Sequence, residues 1–445
     1  MRRPCRDSER YFKHRSENNA SGTVSLVPGG LTIVLVVMMV GFVAVASFAK
    51  QTLQVMVHEG GDYLERTMQY WEIFDHENPD IDVEIIAGPG GGSSPEEKLA
   101  VMVAAGIPPD LVRTWNAKQL GARGLLQDIT PRFQSLPASV RNDFWPALIE
   151  DLSYQGRLYA LPLGTVTSVY YYNKQHFDEK GILPPSAAWS WEREGVAELK
   201  KLTEDLNGDG VIDRWGIGDL AGGGMGNYYP FIYSANKGQP LFSEDGRQFL
   251  GNTAEVREAL QLLQNLAQQH GVMRTSGGWT DFAEQRVSTL VWGSFMAGYF
   301  PRYENLDWDF ALFPTVMGER AAVVWAETPY GISVGAKNPE LSWRALEFIA
   351  STEGQQHSIR LGWGIPPARR SVTVGQFLQH FRGKNIDAVA HMLSLPHNQT
   401  LPRLTPTTAI NMFRDACRAV SLGQKAPGQA LDEVTPTIMA ILEAQ

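Results

Sequence analysis

Cysteine is almost missing from this chain: only Cys5 and Cys417 occur among 445 residues. Cys5 lies in the N-terminal lead-in, so a chain trimmed there keeps a single thiol. That excludes an intrachain disulfide and a cysteine-based zinc site. Cys417 sits in a helical pattern, Met412 to Cys417, and is expected as a small buried residue. Excess positive charge is missing too, since 39 Lys and Arg stand against 48 Asp and Glu for a net charge of −9. Phosphate backbones need a concentrated basic surface, so nucleic acid is excluded as the main partner. The signatures His-Glu-x-x-His, Walker A and Gly-x-Gly-x-x-Gly are absent, and the Gly-rich loop at 88–95 has no Gly-Lys-Ser/Thr closure. Nothing singles out a glycosidase carboxylate pair, and the nine His are scattered. No enzyme is expected.

Charge is also missing from Leu31–Phe48, an apolar run preceded by Arg2, Arg3, Arg6, Arg10, Lys13 and Arg15. Residues 1–50 are expected as a signal peptide or an N-terminal membrane anchor. Ser47-Phe48-Ala49 offers the small residues that favour cleavage, while the long basic lead-in keeps the anchor open. No cysteine follows the run, so a lipid anchor is not expected. Either way the basic side stays inside and Gln51 onward lies outside the cytoplasm.

Apolar material is ample. The chain is 43% hydrophobic, with twelve Trp, fourteen Tyr and nineteen Phe, enough for large cores. Thr52–Val57 reads as a strand, Tyr63–His76 as a helix and Ile81–Ile86 as a returning strand, which predicts a parallel pair with a right-handed crossover. Open α/β sheets bind ligands at the carboxyl ends of their strands, and this places the loop His58–Asp62, with Glu59 and Asp62, at a site edge. Further helices are expected over Glu96–Ala105, Leu120–Leu126, Arg193–Glu204, Thr253–Gly271, Ser342–Ser351 and Asp432–Leu442. A short strand is expected at Gly331–Val334. Tyr170 and Tyr172 point one way on a strand and Tyr171 the other, so one set is expected to pack and the other to face a cleft.

Asp205-Leu206-Asn207-Gly208-Asp209-Gly210-Val211-Ile212-Asp213 puts oxygen side chains at alternate positions around tight glycine turns. A hard cation suits that pattern, with Asp205, Asn207, Asp209, Val211 (through its carbonyl) and Asp213 as candidate calcium ligands. An EF-hand loop carries Glu at its twelfth place, where Gly216 stands here. An ion-free Asx-turn loop fits the same residues. Any ion there is structural, because every ligand belongs to one surface loop; no other cofactor is expected.

Several segments, in order, resemble extracellular solute-binding proteins of ABC importers, the sugar-binding, maltose-binding-protein-like type. They are Gly106-Ile107-Pro108-Pro109-Asp110, Gly156-Arg157-Leu158-Tyr159-Ala160-Leu161-Pro162, Tyr171-Tyr172-Asn173-Lys174, Trp189-Ser190-Trp191-Glu192, Thr289 to Phe295, Trp308 to Pro314, and the run from Trp325 through Gly362-Trp363-Gly364 to Pro367. The resemblance implies an α/β, two-lobed periplasmic-binding-protein fold, each lobe a sheet flanked by helices, with a ligand cleft at the hinge. It implies an N-terminal lobe of 51–165 plus 326–363 and a C-terminal lobe of 166–325 plus 364–445. Crossings fall near Pro162–Val169, Val324–Tyr330 and Gly362–Pro367. The implied function is capture of a sugar, oligosaccharide or related polyol by lobe closure and delivery to ABC permease subunits, by a monomer in the periplasm. A membrane-anchored sensor and a carbohydrate-active enzyme are the alternatives. Sugars stack apolar C–H faces on aromatic rings and offer hydroxyls to polar groups. The ligand contacts expected on that ground are Glu59, Asp62, Trp115, Tyr172, Tyr228, Trp292, Phe295 (or Tyr299), Trp325, Glu327, Tyr330, Trp363 and Arg369.

Overall fold

The computed structural model describes residues 50–444 apart from 59–60, 88–94, 222–227, 378 and 380; for 61, 62 and 95 the backbone alone is described. Residues 1–49 of the expected signal or anchor at 1–50, Glu59, and the side chain of Asp62 lie outside the described residues. No helix among the described residues is long and apolar enough to cross a membrane.

Among the described residues there are ten strands: β1 (Gln51–Val57), β2 (Ile81–Ala87), β3 (Leu111–Arg113), β4 (Ser153–Tyr154), β5 (Arg157–Leu158), β6 (Leu161–Asn173), β7 (Trp215–Ile217), β8 (Val287–Gly293), β9 (Trp308–Ala311) and β10 (Val324–Ile332). β4 and β5 form a small hairpin. The other eight make one sheet in the order β2-β1-β3-β10-β6-β8-β7, with β9 paired to β6. β1 pairs parallel with β2, as the strand–helix–strand pattern predicts.

β6 organises the sheet. All thirteen of its residues are buried. Its first half pairs antiparallel with β10, from Leu161 opposite Tyr330 to Thr167 opposite Val324. Its second half changes partners, with Ser168 opposite Gly293 on β8 and Tyr170 opposite Ala311 on β9. A third segment lies along β6: Thr165 N donates to Pro366 O at 2.7 Å and Ala368 N to Leu163 O at 3.2 Å. Gly164 makes that approach possible, because a Cβ there would stand 2.7 Å from Ile365 Cγ2.

The expected cleft-facing tyrosine is not there. Tyr170 packs edge-on to Trp191, Tyr171 meets Phe300, Trp308 and Phe310, and Tyr172 meets Phe177. Elements cover β6 on both faces, so alternation along the strand sorts the rings between two cores. The strand expected at Gly331–Val334 is instead β10, which starts at Val324 and ends at Ile332. Glu327-Thr328-Pro329 interrupts its apolar pattern and hides the strand. The helix expected at Leu120–Leu126 is Ala117–Ala122.

Helices cover both faces of the sheet. In Gly61–Glu77, Trp71 meets Tyr330 and Phe74 meets Phe348, so this helix packs on β10 and on helix Pro339–Ala350. The latter starts where Asn338 accepts Leu341 N at 3.1 Å, with Pro339 in the first turn. Trp343 is buried, and so is Cys417, as expected. The final helices, Thr407–Ser421 and Pro427–Glu443, pack on each other and on Ala254–Gln264.

Candidate ligand-binding site

β1 and β3 run parallel, and their carboxyl ends carry His58 on one strand and Arg113, Thr114 and Trp115 on the other. β10 lies antiparallel beside β3, with Tyr330 opposite Arg113, so its earlier residues Trp325, Glu327 and Thr328 extend past the same edge. The topology thereby gathers residues more than two hundred positions apart.

Glu327 is the hub. Its Oε1 accepts from Trp115 Nε1 at 2.9 Å and from Arg113 Nη2 at 3.3 Å, and its Oε2 accepts from Trp325 Nε1 at 3.2 Å. Arg113 Nη2 also donates to Thr328 Oγ1 at 3.2 Å, and its Nη1 donates to His58 Nε2 at 2.9 Å. The His58 Nδ1 stands 3.3 Å from Arg113 O. A guanidinium only donates and a carbonyl only accepts, so these two contacts fit the tautomer with its proton on Nδ1. Arg113 and Glu327 are almost fully buried, which makes their pairing strong in consequence: loss of either leaves a buried charge alone.

Trp115 stands out from this network. It is 39% exposed although its ring is fixed on three sides. His58 meets it edge-on with centroids 4.2 Å apart, the Arg113 guanidinium lies 4.8 Å from the ring centroid, and Glu327 holds its N–H. Thr328 holds φ at +51°, a strained position for a β-branched residue that costs on the order of 1–3 kcal/mol. Thr328 is held there by Arg113 Nη2, which donates to its Oγ1, and by its own N–H, which donates to Glu327 Oε1 at 3.2 Å.

A second group of rings lies against the first. Tyr63, in the first turn of helix Gly61–Glu77, keeps its hydroxyl protonated far above the usual tyrosine range. Burial is the main cause, followed by the hydroxyl of Tyr299 and the charge of Glu327, with Arg113 opposing. Tyr299 in turn meets Phe295 edge-on at 6.3 Å and lies under the Arg302 guanidinium at 5.2 Å. The turn that carries Phe295 and Tyr299 abuts the Gly362–Gly364 segment, where a Cβ on Gly364 would stand 2.5 Å from Gly298 Cα.

The structure thus brings together Trp115, Trp325 and Glu327, and sets Phe295 and Tyr299 next to them through Tyr63. It places other expected contacts elsewhere. Tyr330 is fully buried and accepts from Trp71 Nε1 at 3.2 Å. Trp363 is 2% exposed against Tyr70. Tyr172 packs on Phe177, and Tyr228 is buried against Tyr229. Trp292 is half-buried on β8 opposite Val169. Arg369 is committed to Asp143 at 2.8 Å and to Thr352 Oγ1 at 2.8 Å. Arg113 and Tyr63 went unnoticed in the sequence; a cation at a strand end two places before an exposed Trp was the available signal. Gly331-Ile332-Ser333-Val334-Gly335 has the spacing of a nucleophile elbow, but Ser333 is fully buried and its backbone bonds Asp110.

In the 205–213 loop, the Asp205 carboxylate accepts from the backbone N–H groups of Gly208 at 2.7 Å and Gly210 at 2.7 Å, which holds its pKa below the usual range. Among the described residues, three ligand atoms of acidic or His side chains converge at Glu77, Glu353 and His357; the carboxylates of Asp205, Asp209 and Asp213 do not.

Residues 52–356 match the family described as bacterial extracellular solute-binding protein. The chain belongs to that family. A binding protein of Brucella abortus is 23% identical over 407 residues, covering 86% of this chain and 92% of the relative. A mannitol-binding protein of Pseudomonas aeruginosa is 26% identical over 200 residues, 43% of this chain and 44% of the relative. Among solved structures, the sugar-binding protein MalE of Xanthomonas citri superposes with a TM-score of 0.74 at 18% identity, covering 88% of this chain and 98% of that one. This solute-binding protein therefore has the two-lobed α/β fold that its sequence motifs imply, and its long strand β6 is the one that changes sheet partners along its length.

Proposed function

We propose that this solute-binding protein captures a sugar, oligosaccharide or related polyol and hands it to the permease subunits of an ABC importer. The observation that carries this reading is Trp115, an exposed indole fixed by His58, Arg113 and Glu327. A rigid ring offers a stacking face for sugar C–H groups, and the neighbouring charged groups suit hydroxyls. The sugar-binding and mannitol-binding relatives favour the same ligand class. Contacts are assigned to Trp115, Trp325, Glu327, Phe295 and Tyr299, with Arg113 and Tyr63 added. The lobes divide at 51–165 plus 326–363 and 166–325 plus 364–445, a division supported by the partner change between Thr167 and Ser168. Ligand binding stabilises the closed arrangement of the two. The protein works as a monomer outside the cytoplasm, led there by the apolar segment 31–48, and releases its ligand unchanged.

A calcium ion in the 205–213 loop belongs to the same reading. It is supported by the oxygen side chains at alternate positions and by Gly208 and Gly210 at φ of +77° and +88°. Binding requires Asp205, Asp209 and Asp213 to draw together. The ion would be structural, so EDTA is expected to lower the thermal midpoint; an unchanged midpoint removes the calcium assignment.

A thermal-shift panel of mono-, di- and oligosaccharides with mannitol and other polyols tests the main reading. A true ligand at 100 times its Kd stabilises by about 2.7 kcal/mol. A flat panel removes the carbohydrate assignment, and recovery of a cleaved glycan would show an enzyme instead.

A further inference from the structure

A cavity of about 330 Å³ opens between Asn116, the residue after Trp115 in the chain, and the start of helix Thr407–Ser421. Its polar lining includes Arg403, Arg414, Asn411, Thr405 and Thr407, and no Asp or Glu is among the described residues that line it.

The two cations are not equivalent. Arg403 is neutralised: its Nε and Nη2 donate to both carboxylate oxygens of the fully buried Asp151, each at 3.1 Å. Asp151 also accepts Ala326 N at 3.0 Å, which ties this rim to β10. Among the described residues, Arg414 pairs with Asp415, its chain neighbour, at 3.5 Å, and the two side chains are 38% and 68% exposed. Such a pair contributes little. Arg414 shares a helix face with Asn411 and Thr407, and its charge reaches the hydroxyls of Tyr228 and Tyr229, which places it toward the cavity.

A second, independent observation concerns Thr405. Its Oγ1 is buried and meets no hydrogen-bond partner among the described residues. A buried hydroxyl left unbonded is costly, so a polar group is expected to meet it. The helix that begins at Thr407 runs fifteen residues, and its first turn with its dipole opens on the same space. An uncompensated guanidinium, an unsatisfied donor, amide groups and a helix start all suit one kind of guest.

We infer that the ligand carries an anionic group, the carboxylate of a sugar acid or the phosphate of a sugar phosphate, and that this cavity receives it with Arg414 as countercharge and the Thr405 hydroxyl as donor. The inference rests on the carbohydrate reading above. It adds a substrate class, since an uncharged sugar or polyol would leave both groups unmet.

Calorimetric titration of the secreted protein tests it with matched sets: glucose, glucuronate and glucose 6-phosphate; galactose and galacturonate. Hydrogen bonds to charged groups are worth about 1.5–3 kcal/mol, so one anionic member is expected to bind roughly 10- to 100-fold tighter than its neutral parent. Preference for the uronates alone identifies a carboxylate guest, and preference for the phosphate alone identifies a phosphate guest. Arg414→Gln is expected to collapse the anion-to-neutral ratio toward one, whereas Arg414→Lys retains most of it. Asn411→Asp, which places a negative charge in the cavity, is expected to invert the preference and gives the same reading should Arg414→Gln fail to fold. If neutral sugars bind as tightly as their anionic partners, or Arg414→Gln leaves the ratio intact, this inference falls and the carbohydrate reading stands. If no member of any set binds, this inference falls, and the wider thermal-shift panel decides the carbohydrate reading separately.

Discussion

Two aromatic clusters of this molecule make a useful contrast. Around β6, Tyr170, Tyr171 and Tyr172 meet other aromatic rings, and all three are buried. The Tyr171 hydroxyl donates to Gly293 O at 2.9 Å, inside the core. At the ends of β3 and β10, Trp115 and Trp325 meet polar groups instead, each donating its N–H to the same carboxylate, and Trp115 stays 39% exposed. What separates them is polar fixation together with exposure. Rings that only fill space touch other rings; a ring held rigid in contact with water has lost rotamer entropy in advance, which a ligand would otherwise supply.

The contrast can be broken or sharpened by substitution. The largest effect is expected at Tyr171, where Tyr171→Ala empties a space among four rings and costs about 3–5 kcal/mol in chemical denaturation. A loss below about 1 kcal/mol would mean the β6 cluster is loosely packed, and the contrast would fail.

Next comes a pH effect at the buried end of β6. Burial, with help from the Arg214 charge, pushes the His176 imidazole down from 6.5 to about 4. The folded state holds it neutral while the unfolded chain takes up a proton near 6.5. Its contribution is therefore complete above about pH 6.5 and lost as pH falls toward 4, up to about 3 kcal/mol. His176→Gln is expected to flatten that acid limb in denaturation midpoints measured across the window. An unchanged slope would show that other groups control it.

A smaller effect separates a structural cation from the site. Arg369→Ala removes the bonds to Asp143 and Thr352 and is expected to cost about 2 kcal/mol of stability with ligand affinity retained. Loss of affinity at unchanged stability would return Arg369 to the site.

Much of the fold is legible in the sequence because its elements follow simple periods. The β1–helix–β2 unit, the capped helix after Asn338 and the terminal helix all show them. β10 does not, since the residues that interrupt its pattern, Glu327 and Thr328, belong to the candidate site. Trp115, Trp325 and Glu327 could be found as polar or aromatic residues at strand ends. Arg113 could not be ranked, because its meaning depends on a carboxylate 214 positions away. Tyr330 and Trp363 have the same sequence look as Trp115, and only packing sends them to the core.

The central claim is that the exposed, polar-fixed indole is the wall against which the ligand stacks. Trp115→Ala tests it most directly, by Kd for the tightest ligand of the panel beside the apo thermal midpoint. Truncation of a central stacking residue costs about 2 kcal/mol or more, so affinity should fall about 30-fold or further while the apo midpoint barely moves. Unchanged affinity, or an apo protein that no longer folds, would contradict the assignment of Trp115 to a binding wall.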